Sequence, residues 1–532
     1  MSDEKGRATS DSLILRSQSK MLISVAEIAD TIENFVMTRE GTLASVKGPA
    51  PLVYDPVEKT LPSAYSRFMY GIYHTTLKGG AVDILLLHSG SSIYVYRGWN
   101  TTSPWLKVVG PTGGLVTMDL AVSRETPGFP TQFETTPKGV VIVPQNEDRA
   151  VFYNGEVAVP LGFDSVPSAP LGHGPETHEP DDDAKVNAQG YAVSRMTGGY
   201  TLHEDFGYGR LGTIKSAVAS DAGARLLPGS YQCSYQWINY FGDLSPQSPR
   251  SNEILLHEQA VEADGGDSTA DPQRVLKHVL WSNISTGPQG TVGRLVSRTK
   301  DMINKGTSQL YIVPGNVGYG IFGSFATLPD NSTTKLPDNV PDGWIVSTPH
   351  EVIPVPIFKL CKLALGRLWI ANTTDDPGIL IPSMPGTYGT FLSGTEIFPD
   401  PSGGEVTGLW STSAGMLVFT VTSTFILTPS DDGQDFRVAT LNPNIGCVAP
   451  SSLCSLPGGM TIWLGREGFY MFDGTNIVSI SVEVQSETDR INPVRAKESV
   501  AIYDPNSNEY RCWVPFDGSR INNHCFIFDP QG

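Results

Sequence analysis

Met460–Thr475 reads MTIWLGREGFYMFDGT. Two apolar, aromatic-rich runs flank a short polar break at Gly465–Gly468, and Asp473-Gly474 closes the second run. An apolar run bounded by Gly, Asp, Asn or Pro is the pattern of a strand, and two of them around a short turn make a hairpin. The same form recurs in RLWIANTTDDPGILIPS (Arg367–Ser383), MLVFTVTSTFILTPS (Met416–Ser430) and VAIYDPNSNEYRCWVP (Val500–Pro515). Nearer the N-terminus it recurs in DILLLHSGSSIYVYRGW (Asp83–Trp99) and GVVIVPQNEDRAVFYNGE (Gly139–Glu156). The anchors Trp369, Val418, Trp463 and Tyr503 lie 49, 45 and 40 residues apart. A recurrence of ~40–50 residues with strand-turn-strand content is the signature of propeller blades, whose faces are buried only by packing side by side. A β-sandwich gives turn signals at a shorter spacing of ~8–12 residues. The expectation is an all-β chain built on a β-propeller of roughly six to eight blades. The final half-copy, HCFIFDPQG, has no partner strand after it; either the N-terminus supplies one or the chain continues beyond Gly532.

Composition supports this class. The 532 residues include 55 Gly and 40 Pro, with 17% charged and 39% hydrophobic side chains. Gly and Pro in a helix interior cost roughly 1 and 3 kcal/mol relative to Ala, so long helices are disfavoured. One short amphipathic helix is expected over Ser24–Val36, from Val25, Ile28, Ile32 and Val36 with Ser24 as N-cap. The length calls for more than one domain. VPLGFDSVPSAPLGHGPETHEPDDDAKVN (Val159–Asn187) reads as a linker or long loop, and GSYQCSYQWINYFGDLSPQSPRSNEI (Gly229–Ile254) as a strand, an FGDLSP turn and a second strand. VGRLVSRTK (Val292–Lys300) and QLYIVPG (Gln309–Gly315) add two strand candidates. The organisation expected is an N-terminal propeller part over 1–165, an inserted fibronectin-like β-sandwich with long loops over 166–345, and a C-terminal propeller part over 346–532.

Net charge is −18, so the chain repels polyanions on average and does not grip nucleic acid by phosphate neutralisation. No run reaches the ~18–20 apolar residues of a membrane span, and Met1–Lys20 is polar, unlike a secretory signal. The six cysteines, Cys233, Cys361, Cys447, Cys454, Cys512 and Cys525, form no CxxC and sit largely in apolar runs, as buried reduced thiols do.

In the order of its features the chain resembles the tail nozzle proteins of short-tailed bacteriophages, the tail tubular protein B family. The phrases that carry the resemblance are NEDRAVFYNGE, YQCSYQWINYFGDLSPQSP, VSRT, GRLWIA, LIPSMPGTYGTF, FILTPS, GCVAPSSL, LGREGFYMFDG and AIYDPNSNEY, spread over residues 80–532. The resemblance implies a propeller split by an inserted sandwich and a structural, non-enzymatic virion protein made in the bacterial cytoplasm. It further implies a homo-oligomeric ring of six copies between the tail adaptor and the distal tail or fibre proteins. Double-stranded DNA would pass through that ring, unread, during ejection into the host. An acidic lining would suit such a conduit by repelling phosphates, with salt limiting the range to ~8–10 Å; acidic surfaces also serve solubility.

Enzymatic motifs were weighed against this. TPSDDGQDF (Thr428–Phe436) holds one imperfect copy of the sialidase Asp-box, with Asp431, Gly433 and Phe436 in place and Pro429 where Ser or Thr belongs. Asp473 and Asp504 could serve a glycosidase pair but sit in DG and DP turns. HGPETHEPDDD (His173–Asp183) could offer oxygen ligands to Ca²⁺ but lacks the EF-hand pattern, and HSGSS (His88–Ser92) reads as a tight hairpin. Asn100, Asn283, Asn331 and Asn372 match glycosylation acceptors. Trp99, Trp105, Trp410 and Trp513 could be sugar platforms, though a Trp beside alternating apolar residues is usually core. No catalytic, cofactor or metal residue is assigned. The alternative reading is a phage propeller that binds or cleaves host-surface glycans.

Overall fold

In the computed structural model the hairpin at Met460–Thr475 is formed by Thr461–Gly465 and Gly468–Phe472, with Trp463 opposite Tyr470 and Gly465 opposite Gly468. The structure describes residues 15–17, 35–37, 43–45, 69–77, 82–89, 92–96, 105–110, 131–144, 149–173, 226, 229–256, 279–314, 326–338, 340, 342–343, 345–430 and 435–530. Among these the chain is nearly all β, and its two α-helical turns, Met302–Lys305 and Gln485–Thr488, have four residues each. The helix expected over Ser24–Val36 lies outside the described residues except for Phe35 and Val36, which belong to the strand Phe35–Met37. Two compact units result: residues 1–159, 356–382 and 396–532 in one, and 160–355 with 383–395 in the other.

The first unit is organised around six antiparallel sheets in chain order, among the described residues. The first runs Met69–Leu77, Val82–Ser89, Ser92–Tyr96, Trp105–Lys107, and the second Gln132–Thr136, Gly139–Val143, Val151–Tyr153, Ala158–Pro160. The third has Phe358–Ala364, Arg367–Thr373 and Leu380–Pro382, extended by a single bridge from Leu380 to Ile397. The fourth runs Val406–Thr412, Gly415–Thr420, Thr424–Pro429, Phe436–Asn442, and the fifth Cys454–Ser455, Thr461–Gly465, Gly468–Phe472, Ile477–Ser479. The sixth has Val500–Asp504, Glu509–Val514 and His524–Phe528, and its fourth strand is Leu15–Ser17, with Leu15 opposite Phe528 and Ser17 opposite Phe526. The partner missing after the last half-copy is therefore supplied by the N-terminal region.

Successive sheets share cores because their second strands alternate. In Gly415–Thr420, Met416 and Val418 join a cluster with Trp369 and Ala371 of the third sheet. Leu417 and Phe419 point the other way, into a cluster with Trp463 and Phe472 of the fifth. The fifth repeats the device: Ile462 and Leu464 pack with Cys512, Phe526 and Phe528 of the sixth. The first and second sheets share Ile84, Leu86, Val140 and Ile142. A strand buried on both faces needs a layer on each side, and period-two alternation is how one strand serves both. Each buried aromatic or aliphatic side chain contributes about 1.5–3 kcal/mol. Trp463 is fully buried, and its indole N–H is satisfied by Gly446 O at 3.0 Å.

The second unit places Cys233–Asn239, Thr291–Thr299 and Leu310–Ile312 in one three-stranded sheet, and Leu171–His173, Val279–Ser282 and Leu336–Asp338 in another. Tyr231, Cys233, Tyr235 and Trp237 meet Val279, Trp281 and Leu336 in a shared cluster. The second strand expected after FGDLSP pairs in an unusual way. Ser245, Ser248 and Ser251, three residues apart in SPQSPRS, each donate a backbone N–H to the strand, at Trp237 O, Tyr235 O and Cys233 O (3.0, 2.9 and 2.8 Å). Each also accepts the backbone N–H of the same strand residue on its hydroxyl, at 2.8, 3.0 and 2.9 Å. Proline cannot donate, so the serines do the pairing. Further on, Gly162 has φ +59, and a Cβ there would lie 2.0 Å from Gly389 O, so only glycine allows the two backbones to meet. Asp243 fastens the same region, accepting from Gly389 N at 2.8 Å and Asn239 Nδ2 at 2.9 Å.

Candidate functional site: the row of first strands

The first strands of the six sheets touch one another from sheet to sheet. Between the first and second sheets, Tyr73 stacks on Phe133 (centroids 5.2 Å, planes 2° apart), and the Tyr73 and Thr75 hydroxyls meet Thr135 Oγ1 at 2.9 and 2.7 Å. Between the second and third, Gln132 uses its whole carboxamide on one residue, donating to Cys361 O (2.9 Å) and accepting from Cys361 N (3.0 Å). Glu134, only 8% exposed, accepts from Leu363 N at 2.9 Å and from Lys362 Nζ at 3.1 Å. These two side chains act as a surrogate strand, satisfying backbone groups across the junction.

Lys362 continues the row: its Nζ lies 4.4 Å from the centroid of the Trp410 ring in the fourth sheet, an attraction of about 0.5–2 kcal/mol. Trp410 Nε1 donates to Ser455 Oγ of the fifth sheet at 3.0 Å. Beside it, burial pushes the Cys454 thiol up to about 12, opposed by a hydrogen bond with the Tyr503 backbone of the sixth sheet. Five consecutive junctions are thus spanned by first-strand residues.

The chemistry of this row is cohesive, and its charge is balanced. The first strands carry Glu134 and Asp504 against Lys359 and Lys362, with His74 in addition. The acidic excess of the chain lies outside these strands.

The residues weighed in the sequence are placed separately. Asp473 accepts from Thr475 N and Asn476 N (2.8 and 2.7 Å), and its carboxyl is held below its ordinary value by those bonds, Asn476 foremost. Asp504 accepts from Asn506 N (3.0 Å) and Ser507 Oγ (2.9 Å). Both cap their own turns. His88 is buried with Nδ1 2.6 Å from Thr131 Oγ1, and His173 Nε2 lies 2.6 Å from Ser282 Oγ. Phe436 packs edge-on against Trp369 at 4.7 Å, while Asp431 and Gly433 lie outside the described residues, as do 174–183, Trp99 and Asn100. Trp105 lies in an outer strand of the first sheet. Asn372 is buried and donates to Val406 O at 2.9 Å; Asn331 bridges Gly287, and Asn283 is exposed at φ +57. All six cysteines are unpaired, five of them buried. Among the described residues no group of three or more His, Cys, Asp or Glu is placed to hold a metal ion, and no helix is long and apolar enough to cross a membrane.

Trp513 is 39% exposed on the face of the sixth sheet opposite the core it shares with the fifth, beside Val500 and Ile502. Sequence reading did not single out Gln132, Glu134 or Lys362. The signal was polar residues within otherwise apolar strands, in QFETT and FKLCKLA.

No protein-family model matches the chain, and no curated protein does. Among solved structures, the extracellular domain of a putative hybrid two-component system of B. thetaiotaomicron is 10% identical, with 86% of this chain and 40% of that one covered, at a TM-score of 0.24. BBS1N in complex with ARL6DN is 9% identical, with 87% and 92% covered, at 0.24. A second two-component extracellular domain of B. thetaiotaomicron is 11% identical, with 86% and 51% covered, at 0.21. The chain spans about half the length or less of the two bacterial domains. At these scores the likenesses bear on neither fold nor function.

Proposed function

We propose that the six sheets are the blades of one six-bladed β-propeller, that the second unit is a β-sandwich inserted between its second and third blades, and that the protein is a structural component of a bacteriophage tail. In this reading it is a nozzle subunit, assembling as a ring of six copies with adaptor and fibre proteins as neighbours and conducting the exiting double-stranded genome without reading its sequence. The observation that carries the fold is the row of first strands, joined through five junctions, with a sixth sheet completed by a strand from the other end of the chain. A meander whose first strands meet is how blades gather around an axis, and a last blade built from both ends is how a ring is clasped. The tail assignment draws on the sequence phrases, which bracket the inserted unit in the order of the nozzle family. A non-binding wall suits a conduit, and balanced first-strand charge provides one without acidity.

Electron microscopy of the purified protein, alone and with sheared double-stranded DNA, tests the reading. Closed rings of about six copies with an axial opening are expected. A dispersed monomer that is retained by bacterial polysaccharide would favour the alternative, a glycan-binding or glycan-cleaving propeller. Trp513, half-exposed on its sheet with Arg511 on the same strand, is the observation favouring that second reading.

A further inference from the structure

The sixth sheet joins segments separated by about 500 residues of chain, and its outer strand is three residues long. Leu15–Ser17 faces Phe526–Phe528 through three antiparallel pairs, and about 50 residues separate Ser17 from Met69, where the first sheet begins. Three backbone pairs, with contacts to the turn Val482–Val484, are a small attachment, since each backbone hydrogen bond adds little net stability. The acceptor is more firmly built: Phe526 and Phe528 are fully buried in the core shared with the fifth sheet, and Val514 and Cys512 fix the strand beside it. A firmly built edge paired with a three-residue strand from a distant part of the chain is the arrangement in which a strand can be supplied by another molecule.

We propose that the edge of His524–Phe528 is an exchangeable strand-acceptor site, and that at high protein concentration it takes the Leu15–Ser17 strand of a second copy of this chain in place of its own. The inference rests on the pairing of the sixth sheet and not on the tail assignment, so either can fail alone.

The test is a full-length double variant, Arg16→Cys with Ile527→Cys, at residues that face each other across the pair. Directly opposed antiparallel residues have Cα separations of about 4.5–5.5 Å, inside the range a disulfide spans. The reduced variant is first shown to match the parent in circular dichroism and melting. It is then oxidised over a range of concentrations and resolved on non-reducing gels, with both single variants as controls. Covalent multimers whose share rises several-fold with concentration are expected. An exclusively intramolecular cross-link at every concentration overturns the proposal, and so does the absence of any cross-link in the folded variant. Should the double variant fail to fold, a labelled peptide of residues 11–20 titrated onto the unmodified protein provides the second measurement. Saturable binding that an R16P peptide loses supports the site, since proline removes a strand donor; equal binding of both peptides, or none, overturns it.

Discussion

Ser248 and Tyr235 exchange two hydrogen bonds although one of them is not in a strand: Ser248 N–H donates to Tyr235 O at 2.9 Å, and Tyr235 N–H donates to the Ser248 hydroxyl at 3.0 Å. With Ser245 and Ser251 doing the same at Trp237 and Cys233, a proline-containing segment takes the place of a neighbouring strand. Ser248→Ala keeps the first bond and orphans the buried Tyr235 N–H, a loss of about 1–3 kcal/mol. Urea unfolding followed by tryptophan fluorescence should show a lower midpoint, whereas Gln247→Ala, at the residue between two of the serines, should move it far less.

Glu134 has two tasks that substitutions can separate. Glu134→Gln retains an acceptor for Leu363 N–H but gives up the charge facing Lys362, and about 1 kcal/mol of destabilisation is expected from a partly buried pair. Glu134→Leu abandons both and orphans the Leu363 N–H, which adds about 1–3 kcal/mol to the loss. A double-mutant cycle with Lys362→Met measures the coupling, and a coupling indistinguishable from zero would remove Glu134 from the row.

His524 gives the sixth sheet a pH dependence. Burial lowers its pKa below the ordinary value of 6.5, with Glu487 and Asp517 opposing the shift and Arg490 adding to it. The ring stacks on Phe516 at 4.3 Å. Because the folded state holds the neutral ring more firmly than the unfolded state does, the stability it contributes is complete above pH 6.5 and is lost as pH falls from there towards the lowered value. Melting temperatures between pH 7.5 and pH 5 should fall less in His524→Phe than in the parent.

Asp330 acts in a more acidic window. Burial alone would raise its pKa, but hydrogen bonds from Thr333 and Ser332 prevail and hold it at about 2. Ser332 N and Thr333 N both reach Oδ1 at 2.6 Å. A carboxyl depressed from 3.8 to about 2 contributes stability that is complete above 3.8 and disappears as pH falls through 2. Asp330→Asn should therefore flatten the acid limb of the stability curve between pH 4 and pH 2 while changing little of the limb that His524 controls.

The thiols should be inert in the folded protein. Burial raises all six, Cys447 and Cys454 to about 12 and Cys525 to about 11, and the thiolate is the reactive form. Titration with a thiol-specific chromophore at pH 8 should label the native protein slowly and all six cysteines at once in denaturant. Fast native labelling of Cys361 or Cys512 would contradict the packing described.

What the sequence made legible is what obeys a local period. Each hairpin quoted from it is a strand pair, since alternation such as Met416–Phe419 is written into adjacent residues and dictated by cores on both sides. After the FGDLSP turn the sequence predicts an ordinary second strand; that serine hydroxyls at every third position can stand in for strand acceptors has no signature in hydropathy. The first-strand row was invisible for another reason. Gln132 and Cys361 stand 229 residues apart, and nothing in QFETT says which backbone its carboxamide will meet. Net charge, being a chain total, carries no position. The two strand lysines, Lys359 and Lys362, balance Glu134 and Asp504 where the total would suggest repulsion.

The composite sixth sheet also constrains biosynthesis. Leu15–Ser17 leaves the ribosome well ahead of the edge that receives it, because His524–Phe528 is made roughly 500 residues later. At about 5–20 residues per second, that interval is on the order of half a minute to two minutes. Throughout it the nascent polypeptide has no docking place for Leu15–Ser17, so the sixth sheet can form only once His524–Phe528 has emerged, and a chaperone or neighbouring chain has that whole interval in which to intervene.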